Sequence, residues 1–199
     1  MNFKKKVVDF KKIKAFAFDV DGVFTDGSVL AMPDGDLLRT YNSKDCMGIR
    51  MATANGFPVG IITGGCSKSI IERFKSLGVK MSDLYQLSRD KTPDFLAFCQ
   101  KYNLNPSEVA FVGDDIPDIG PLKVAGLSVC PSDAIEDVKI VCNYISSYPG
   151  GKYCVRDIVE KVLKAQEKWD FNPKEPWDFN HPDEIMKLAL ETGKNARKI

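Results

Sequence analysis

The sequence predicts an α/β protein built on a doubly wound parallel sheet. Short apolar runs alternate with amphipathic segments from residue 13 to about residue 169. The runs are almost continuously apolar, as expected for parallel strands that are covered on both faces. Alternation of strand and helix signals predicts a parallel sheet built from βαβ units, and such sheets bind ligands beyond the carboxyl ends of their strands.

Five apolar runs bounded by polar or turn residues are predicted as strands. They are 13–18, 57–62, 109–112, 127–129 and 143–145. A β-hairpin interrupts the alternation after the first strand, because segments 28–32 and 36–41 flank a Pro-Asp-Gly turn at 33–35. We expect this hairpin to project beside the strand ends.

Helical patterns separate the strands and continue after the last one. The predicted helices are 45–55, 67–77, 92–102, 119–124 and an amphipathic helix within 155–169. Ser67 and Thr92 are the predicted N-caps, and Gly78 follows the second helix as a stop signal. Beyond Trp169 the character changes, since Trp-Asp-Phe-Asn occurs at 169–172 and again at 177–180. We therefore expect one domain over 1–169 and a tail over 170–199 that holds a short helix.

Composition excludes several classes of protein. The 28 basic and 27 acidic residues give a net charge of +1, which offers no electrostatic footprint for nucleic acid. No apolar stretch approaches the roughly 20 residues of a membrane span, and no signal-peptide core follows the basic N-terminus. Six cysteines without a CxxC pair, with one histidine, disfavour a zinc site and a disulfide framework. We expect a cytoplasmic protein without nucleic-acid or membrane partners.

Acidic residues follow two of the predicted strands. Asp19 and Asp21 come directly after the first strand, and Asp114, Asp115 and Asp118 follow the third. Carboxylates crowded on one rim raise one another's pKa values, and a hard divalent cation relieves that repulsion. For a few carboxylates beside a phosphate the natural ion is Mg²⁺. The first cluster taken alone could be an acidic turn, but the two clusters together favour a metal site.

Groups suited to a phosphate lie at two further positions. The second strand runs into Thr63, Gly64 and Gly65 before the helix start at Ser67. Backbone N–H groups at such a helix terminus favour an anion. Lys91 taken alone is a solvated surface residue, but beside the other strand-end groups it becomes a counter-ion for phosphate.

The ordered motifs resemble those of the haloacid dehalogenase superfamily of phosphotransferases. They are DxDGV from Asp19, the strand-terminal Thr63, then Lys91, then GDDxxD from Gly113. Within the superfamily the chain looks most similar to the 3-deoxy-D-manno-octulosonate 8-phosphate phosphatase family and to relatives that act on nine-carbon, sialic-type acids. The segments that carry this resemblance are 19–27, 41–45, 113–118, 149–152 and 156–157.

The resemblance implies a role for each matching residue. Asp19 is the implied nucleophile, which forms an aspartyl-phosphate, and Asp21 is the implied general acid and base. Mg²⁺ is implied between Asp19, the backbone carbonyl of Asp21 and Asp114, with Asp115 and Asp118 supporting the metal site. The residues implied to bind substrate are Thr63, Gly64, Lys91, Lys44 and Arg156.

The spacing of the motifs leaves no room for a cap domain. The 44 positions from Asp19 to Thr63 are largely used by the hairpin and one helix, and the 28 from Thr63 to Lys91 by another helix. The resembled family closes its open site by forming a homotetramer, in which hairpins build a central barrel and neighbours complete each active site. The hairpin over 28–41 fits that role. The chain departs from the family at Gly65, where many relatives carry Arg and some nine-carbon enzymes carry Glu.

We therefore expect a Mg²⁺-dependent phosphatase of 3-deoxy-D-manno-octulosonate 8-phosphate, which the resemblance places in lipopolysaccharide biosynthesis. A nine-carbon 9-phosphate is the alternative substrate. A phospho-receiver signalling domain uses the same residue types, but its paired acids end the first strand and its phosphorylated Asp ends the third, the reverse of the order here. A non-catalytic protein that interacts through its tail is a third hypothesis, which the intact motifs disfavour.

Overall fold

The computed structural model describes residues 8–169, which form eight strands and six α-helices. The strands are β1 (Ala15–Phe18), β2 (Leu30–Ala31), β3 (Leu37–Leu38), β4 (Val59–Ile62), β5 (Leu84–Tyr85), β6 (Val109–Val112), β7 (Leu127–Cys130) and β8 (Tyr144–Ile145). The helices are α1 (Ser43–Ala54), α2 (Lys68–Lys75), α3 (Lys91–Lys101), α4 (Ile119–Val124), α5 (Glu136–Val141) and α6 (Cys154–Ala165). None of these helices is long and apolar enough to span a bilayer.

Six of the strands form one parallel sheet in the order β5-β4-β1-β6-β7-β8. Strand β1 lies at the centre, paired with β4 on one side and β6 on the other. The chain builds one half of the sheet through β4 and β5 and the other half through β6, β7 and β8. The order therefore reverses beside β1, and the carboxyl end of β1 is the place where such a sheet binds its ligand. The predicted fold class is confirmed.

The sheet is buried on both faces, which explains the continuous apolar runs. All positions of β1, β4, β6 and β7 are buried. Alternate side chains of β1 point to opposite faces: Ala15 and Ala17 join the core under α3 and α4, whereas the Phe16 and Phe18 rings stack on the other face. Strand β1 is thus packed between two helical layers, with small residues on one face and aromatic rings on the other.

The predicted hairpin is confirmed, with shorter strands than the sequence indicates. Strands β2 and β3 are antiparallel, and Leu30 pairs with Leu38. The turn places Gly35 at φ +88°, a left-handed conformation that glycine adopts without steric cost. Residues 19–58 hold this hairpin and α1 with their connections, so the absence of a cap domain in this part of the chain agrees with the motif spacing.

One of the two predicted N-caps needs correction. The Ser67 cap is confirmed, since its Oγ accepts the Ile70 N–H, but Thr92 is not an N-cap. Helix α3 begins at Lys91, and Asp90 caps it by accepting the Thr92 N–H. The edge strand β5 and the six-residue α5 were not predicted from the sequence. The predicted tail lies outside the described residues, and the predicted boundary at residue 169 stays a prediction.

Helix α3 offers a direct test of which face is buried. Phe95 is fully buried, and its ring meets Phe111 edge-on with 5.5 Å between centroids, whereas its neighbour Leu96 is 43% exposed. We expect Phe95→Ala to lower the free energy of unfolding by about 3–5 kcal/mol. Leu96→Ala should change it by no more than about 0.5 kcal/mol. Urea unfolding followed by circular dichroism measures both, and equal losses would contradict this packing.

Candidate active site

A pocket of about 510 Å³ opens at the carboxyl ends of β1, β4 and β6, where the strand order reverses. Asp19 and Asp21 reach it from the end of β1, Thr63 from the end of β4 and Asp114 from the end of β6. Lys91, the first residue of α3, completes the lining. The fold therefore brings together strand-end residues that lie up to 95 positions apart in the sequence.

Lys91 is a buried cation held between two carboxylates. Its Nζ lies 2.7 Å from Asp19 Oδ1 and 2.8 Å from Asp118 Oδ1, and only 4% of its side chain is exposed. Burial opposes the charged form, but the two carboxylates outweigh burial and raise the pKa of Lys91. The solvated-surface alternative for Lys91 is wrong, because the charge has left water and is paired inside the site.

Lys91 offsets the charge of Asp19 only in part, because Asp118 shares the same cation. The carboxylate is almost fully buried, and burial together with repulsion from Asp118 raises its pKa well above the usual 3.8. The ion pair with Lys91 lowers the pKa only in part. A buried carboxylate whose ionised form is under-compensated favours a further cation nearby.

Asp114 supplies the clearest sign of such a cation. Its Oδ1 is buried and has no hydrogen-bond partner within residues 8–169. Burial first, then repulsion from Asp118, raises its pKa to about 7. Oxygens of Asp19, Asp114 and Asp118 lie within 4.8 Å of one another. Two buried carboxylates and the half-buried Asp114, with its one unpaired oxygen, form an oxygen-rich donor set that suits Mg²⁺.

Asp118 orders this cluster by using both of its oxygens. Oδ1 accepts from Lys91 Nζ, and Oδ2 accepts the backbone N–H groups of Asp114 and Asp115 at 3.0 and 3.2 Å. The Asp115 carboxylate turns away to accept the Ile116 N–H and caps the short turn that follows. Because its oxygens already have donors, Asp118 braces the cluster, whereas Asp19 and Asp114 have oxygens to spare.

The anion side of the pocket is built from Thr63 and the two glycines after it. Thr63 Oγ1 accepts the Gly65 N–H at 3.1 Å, so its own hydroxyl proton remains available to a ligand. The Gly64 N–H donates to no group among the described residues. Arg89, which the sequence analysis did not single out, lines the same side and is exposed. These donors and Lys91 favour a phosphoryl group beside the carboxylates.

Asp21 lies in the pocket but outside the carboxylate cluster. Its Oδ1 accepts from Arg39 Nε at 2.6 Å and its Oδ2 from Arg39 Nη2 at 2.9 Å. This bidentate pair raises the pKa of Arg39. Arg39 was not among the site residues predicted from the sequence. A basic residue at the base of a hairpin expected to project beside the strand ends was the signal that could have found it.

The glycine segment at 149–152 supports the loop after β1. A Cβ on Gly150 would lie 2.0 Å from the Gly22 carbonyl oxygen, so no side chain fits there. The Gly151 N–H donates to Val23 O at 2.9 Å. The buried Asp45 carboxylate fixes the far end of the segment by accepting the Tyr153 N–H. We conclude that this segment holds the β1 loop from behind.

Two residues predicted to bind substrate do not line this pocket in the described chain. Lys44 Nζ lies 4.7 Å above the Tyr153 ring. Arg156 pairs with Glu160 at 2.8 Å, and its guanidinium lies 4.4 Å from the centre of the Trp169 ring. The predicted substrate contacts of Lys44 and Arg156 stay predictions, and they require a second subunit or a movement of the chain.

Comparisons with known proteins agree with this geometry. A family model for haloacid dehalogenase-like hydrolases matches residues 46–126. The 3-deoxy-D-manno-octulosonate 8-phosphate phosphatase KdsC of Escherichia coli (strain K12) is 34% identical over 160 residues, which are 80% of this chain and 84% of that protein. KdsC of Yersinia pestis is 33% identical over 156 residues, 78% of this chain and 82% of that protein.

Solved structures give the same result. The 3-deoxy-D-manno-octulosonate 8-phosphate phosphatase of Moraxella catarrhalis, crystallised with magnesium, phosphate and KDO, matches with a TM-score of 0.77 and 32% identity, covering 81% of this chain and 91% of that one. The cobalt-bound phosphatase of Haemophilus influenzae matches with a TM-score of 0.76 and 26% identity, covering 79% of this chain and 91% of that one.

The raised pKa of Asp114 predicts how stability responds to pH without metal. Because the folded state holds this proton up to about pH 7 and the unfolded state only to 3.8, ionisation destabilises the fold as pH rises through that window. The loss reaches at most about 4 kcal/mol at pH 8. We therefore expect metal-free Asp114→Asn to be more stable than the metal-free native chain at pH 8, with little difference near pH 4.

Urea unfolding with a chelator or with Mg²⁺ measures this effect. Mg²⁺ should stabilise the native chain at pH 8 and have a much smaller effect on Asp114→Asn, because the variant lacks one carboxylate ligand. Glu72→Gln is the control, since it removes an exposed carboxylate on α2. Parallel pH curves for the native chain and Asp114→Asn would contradict the charge crowding described for the cluster.

Proposed function

This chain belongs to the 3-deoxy-D-manno-octulosonate 8-phosphate phosphatase family of haloacid dehalogenase-like hydrolases, and we propose that its substrate is 3-deoxy-D-manno-octulosonate 8-phosphate. The products are the free eight-carbon sugar acid, a component of lipopolysaccharide biosynthesis, and phosphate. The observation that carries the proposal is the cluster of Asp19, Lys91 and the unpaired Asp114 oxygen at the strand-order reversal. A cation and a phosphoryl group together would satisfy its charges.

Asp19 is the proposed nucleophile. Lys91 holds one of its oxygens at 2.7 Å, which fixes the carboxylate and leaves the second oxygen to attack phosphorus. The bond from phosphorus to the sugar oxygen breaks as the Asp19–phosphorus bond forms, giving an aspartyl-phosphate. Water then releases phosphate and restores the carboxylate. Dividing a very slow hydrolysis into two displacements lowers the barrier of each.

Lys91, Thr63 and the Gly64 N–H are proposed to hold the phosphoryl oxygens. All three are donors that line the pocket, and the buried Lys91, which lies between two carboxylates, contributes a full positive charge in a site of low dielectric constant. Donors already oriented toward the transferred group need not reorganise during the reaction, which is the main source of electrostatic catalysis.

Asp21 is proposed to move the proton. It donates to the leaving sugar oxygen in the first displacement and accepts from the attacking water in the second, a contribution of about 10²–10⁴-fold. Its position two residues after Asp19, at the pocket and one-third exposed, supports this role. Both of its oxygens are paired with Arg39, so Asp21 must leave that pair before it acts.

Asp19, Asp114 and the backbone carbonyl of Asp21 are the proposed ligands of Mg²⁺. When bound, the ion neutralises charge on the transferring phosphoryl group. The Asp118 carboxylate keeps Asp114 in place by accepting the Asp114 backbone N–H. Gly22 leaves space for the Asp114 carboxylate, because a Cβ on Gly22 would lie 2.0 Å from Asp114 Oδ2. Asp115 supports the same loop by capping the turn at 116–118.

Substrate length is tested by phosphate release from the eight-carbon 8-phosphate and a nine-carbon 9-phosphate assayed in parallel with Mg²⁺. We expect the eight-carbon ester to have the larger kcat/KM. Gly65 carries neither the Arg of many relatives nor the Glu of some nine-carbon enzymes, which keeps the nine-carbon ester as the second candidate. A larger kcat/KM for the nine-carbon ester would replace the proposed substrate while retaining the phosphatase chemistry.

The nucleophile is tested with Asp19→Asn, which removes the attacking carboxylate but keeps its shape. We expect turnover to fall by at least about 10³-fold, while circular dichroism shows an unchanged fold. Asp137→Asn, an exposed acid in the first turn of α5, is the matched control. Retained turnover in Asp19→Asn would contradict the assignment. A stable, acid-labile phosphoprotein that releases no phosphate would instead favour a phospho-receiver.

We also propose a homotetramer joined through the hairpin. Val29, Leu30, Met32 and Leu38 expose 37–63% of their surface on that hairpin, a cluster of large apolar side chains that packing against other subunits would cover. Light scattering should give about four times the 22.1 kDa chain mass, and Leu30→Asp should lower it by placing a charge in the contact. A native mass near that of one chain would contradict the assembly.

A reducing compartment, the cytoplasm, is the proposed location. All six cysteines are free and five of them are buried. Free thiols in this number are typical of proteins that fold where disulfides do not persist.

A further inference from the structure

Arg39 occupies the space that a side chain at position 65 would fill. A Cβ built on Gly65 would lie 2.7 Å from Arg39 Nη2 and 3.4 Å from Thr63 Oγ1. The guanidinium therefore lies against the loop after β4, beside the donors proposed to hold phosphate. Arg39 follows the end of β3, so the hairpin places a positive charge directly behind two residues that line the pocket of its own chain, Asp21 and Gly65.

The Arg39 guanidinium is already paired with acceptors of its own chain. Nε and Nη2 contact the two oxygens of Asp21, and Nη1 donates to Leu37 O at 2.8 Å. The Arg39 side chain is 1% exposed, while the Asp21 carboxylate is 33% exposed on the pocket side. A ligand in the pocket thus meets Asp21 first, and behind it a planar guanidinium whose two-donor edge matches any carboxylate.

We propose that Arg39 is the receptor for the carboxylate of the substrate and that Asp21 occupies this receptor until substrate arrives. The inference rests on the proposed function, in which the phosphate ester is also a sugar acid. The phosphate binds Lys91, Thr63 and Gly64, and the carboxylate takes the guanidinium edge that Asp21 vacates. Arg39 is then a specificity-determining residue.

The exchange is physically balanced. One carboxylate replaces another on the same guanidinium edge, so the buried Arg39 charge is never left unpaired, which would otherwise carry a large penalty. The Nη1 bond to Leu37 keeps the guanidinium in place during the exchange.

Release of Asp21 couples recognition to turnover. The two contacts with Arg39 hold the Asp21 carboxylate on the hairpin side, so Asp21 must move before it reaches the leaving sugar oxygen. A substrate with a carboxylate releases Asp21 as it binds. A phosphate ester without a carboxylate lacks an anion to exchange, and Asp21 stays on Arg39 for most of the time.

A matched pair of phosphate esters tests this inference on the full chain with Mg²⁺. 6-Phosphogluconate and glucose 6-phosphate are both primary esters of six carbons, and the first carries a carboxylate. We expect the native chain to prefer 6-phosphogluconate, and Arg39→Ala to lower the ratio of the two kcat/KM values by about 10–100-fold, the loss expected for a charge-assisted hydrogen-bonded pair. The kcat for glucose 6-phosphate should rise, because Asp21 is no longer held.

Three further variants separate recognition from support of the hairpin. Arg39→Lys keeps the charge without the two-donor edge and should fall between Arg39→Ala and the native chain. Arg39→Ala combined with Gly65→Arg should recover much of the ratio, because the backbone of Gly65 is outside the left-handed region and the first substitution vacates the space beside it. Lys123→Ala, an exposed charge on α4, should leave both substrates unchanged.

The outcomes distinguish this inference from the proposed function. Equal losses for both esters in Arg39→Ala, without recovery in the double variant, would mean a structural role and overturn the inference. A native preference near one, or a ratio that Arg39→Ala leaves intact, would also overturn it. If the ratio depends on Arg39 but the native chain does not hydrolyse 3-deoxy-D-manno-octulosonate 8-phosphate, the proposed substrate fails and the carboxylate receptor stands.

Discussion

The site is organised around an excess of buried negative charge. Lys91 is a single cation between Asp19 and Asp118, and Asp114 adds a third carboxylate with an unpaired oxygen. Such an arrangement persists only because the sheet on either side is fully buried and holds β1 and β6 in register. The core thus stabilises a charge arrangement that is unfavourable by itself, and under the proposed function this arrangement is what binds a cation and a phosphate ester together.

Close backbone packing sets the geometry of the loops that carry these charges. Gly22 lets the Asp114 carboxylate approach, and Gly150 lets the segment at 149–152 lie directly on the Gly22 carbonyl. The Asp45 carboxylate links the two regions by accepting the backbone N–H groups of Tyr153 and Arg156, which lie more than 100 residues later in the chain. Loops that pack against one another hold their side chains in better-defined positions than loops that are surrounded by solvent.

The sheet and most of the pocket could be predicted from the sequence, because continuous apolar runs ending in Asp, Thr and Asp-Asp are local signals. The burial of Lys91 is not local: it depends on Asp19 and Asp118, which lie 72 residues before it and 27 after it. The Thr92 cap was wrong because Asp90 and Thr92 are both good caps, and only the bonding at Asp90 decides between them. Arg39 was not predicted because its position depends on the open space beside Gly65, and a glycine gives no side-chain signal in the sequence.

The two faces of the hairpin differ, because one is exposed and apolar and the other contacts the pocket residues. Leu38 is exposed and apolar, whereas the side chain of the next residue, Arg39, is covered and paired with Asp21. Successive residues of an extended chain point in opposite directions, so a contact made by the outer face limits the movement of the inner one. Assembly through Leu30 and Leu38 would therefore hold Arg39 over Gly65 and fix the distance between the carboxylate receptor and the phosphate donors. Because residues 8–169 contain no cap domain, we expect that distance to select a sugar acid of one length, and assembly would set it between subunits.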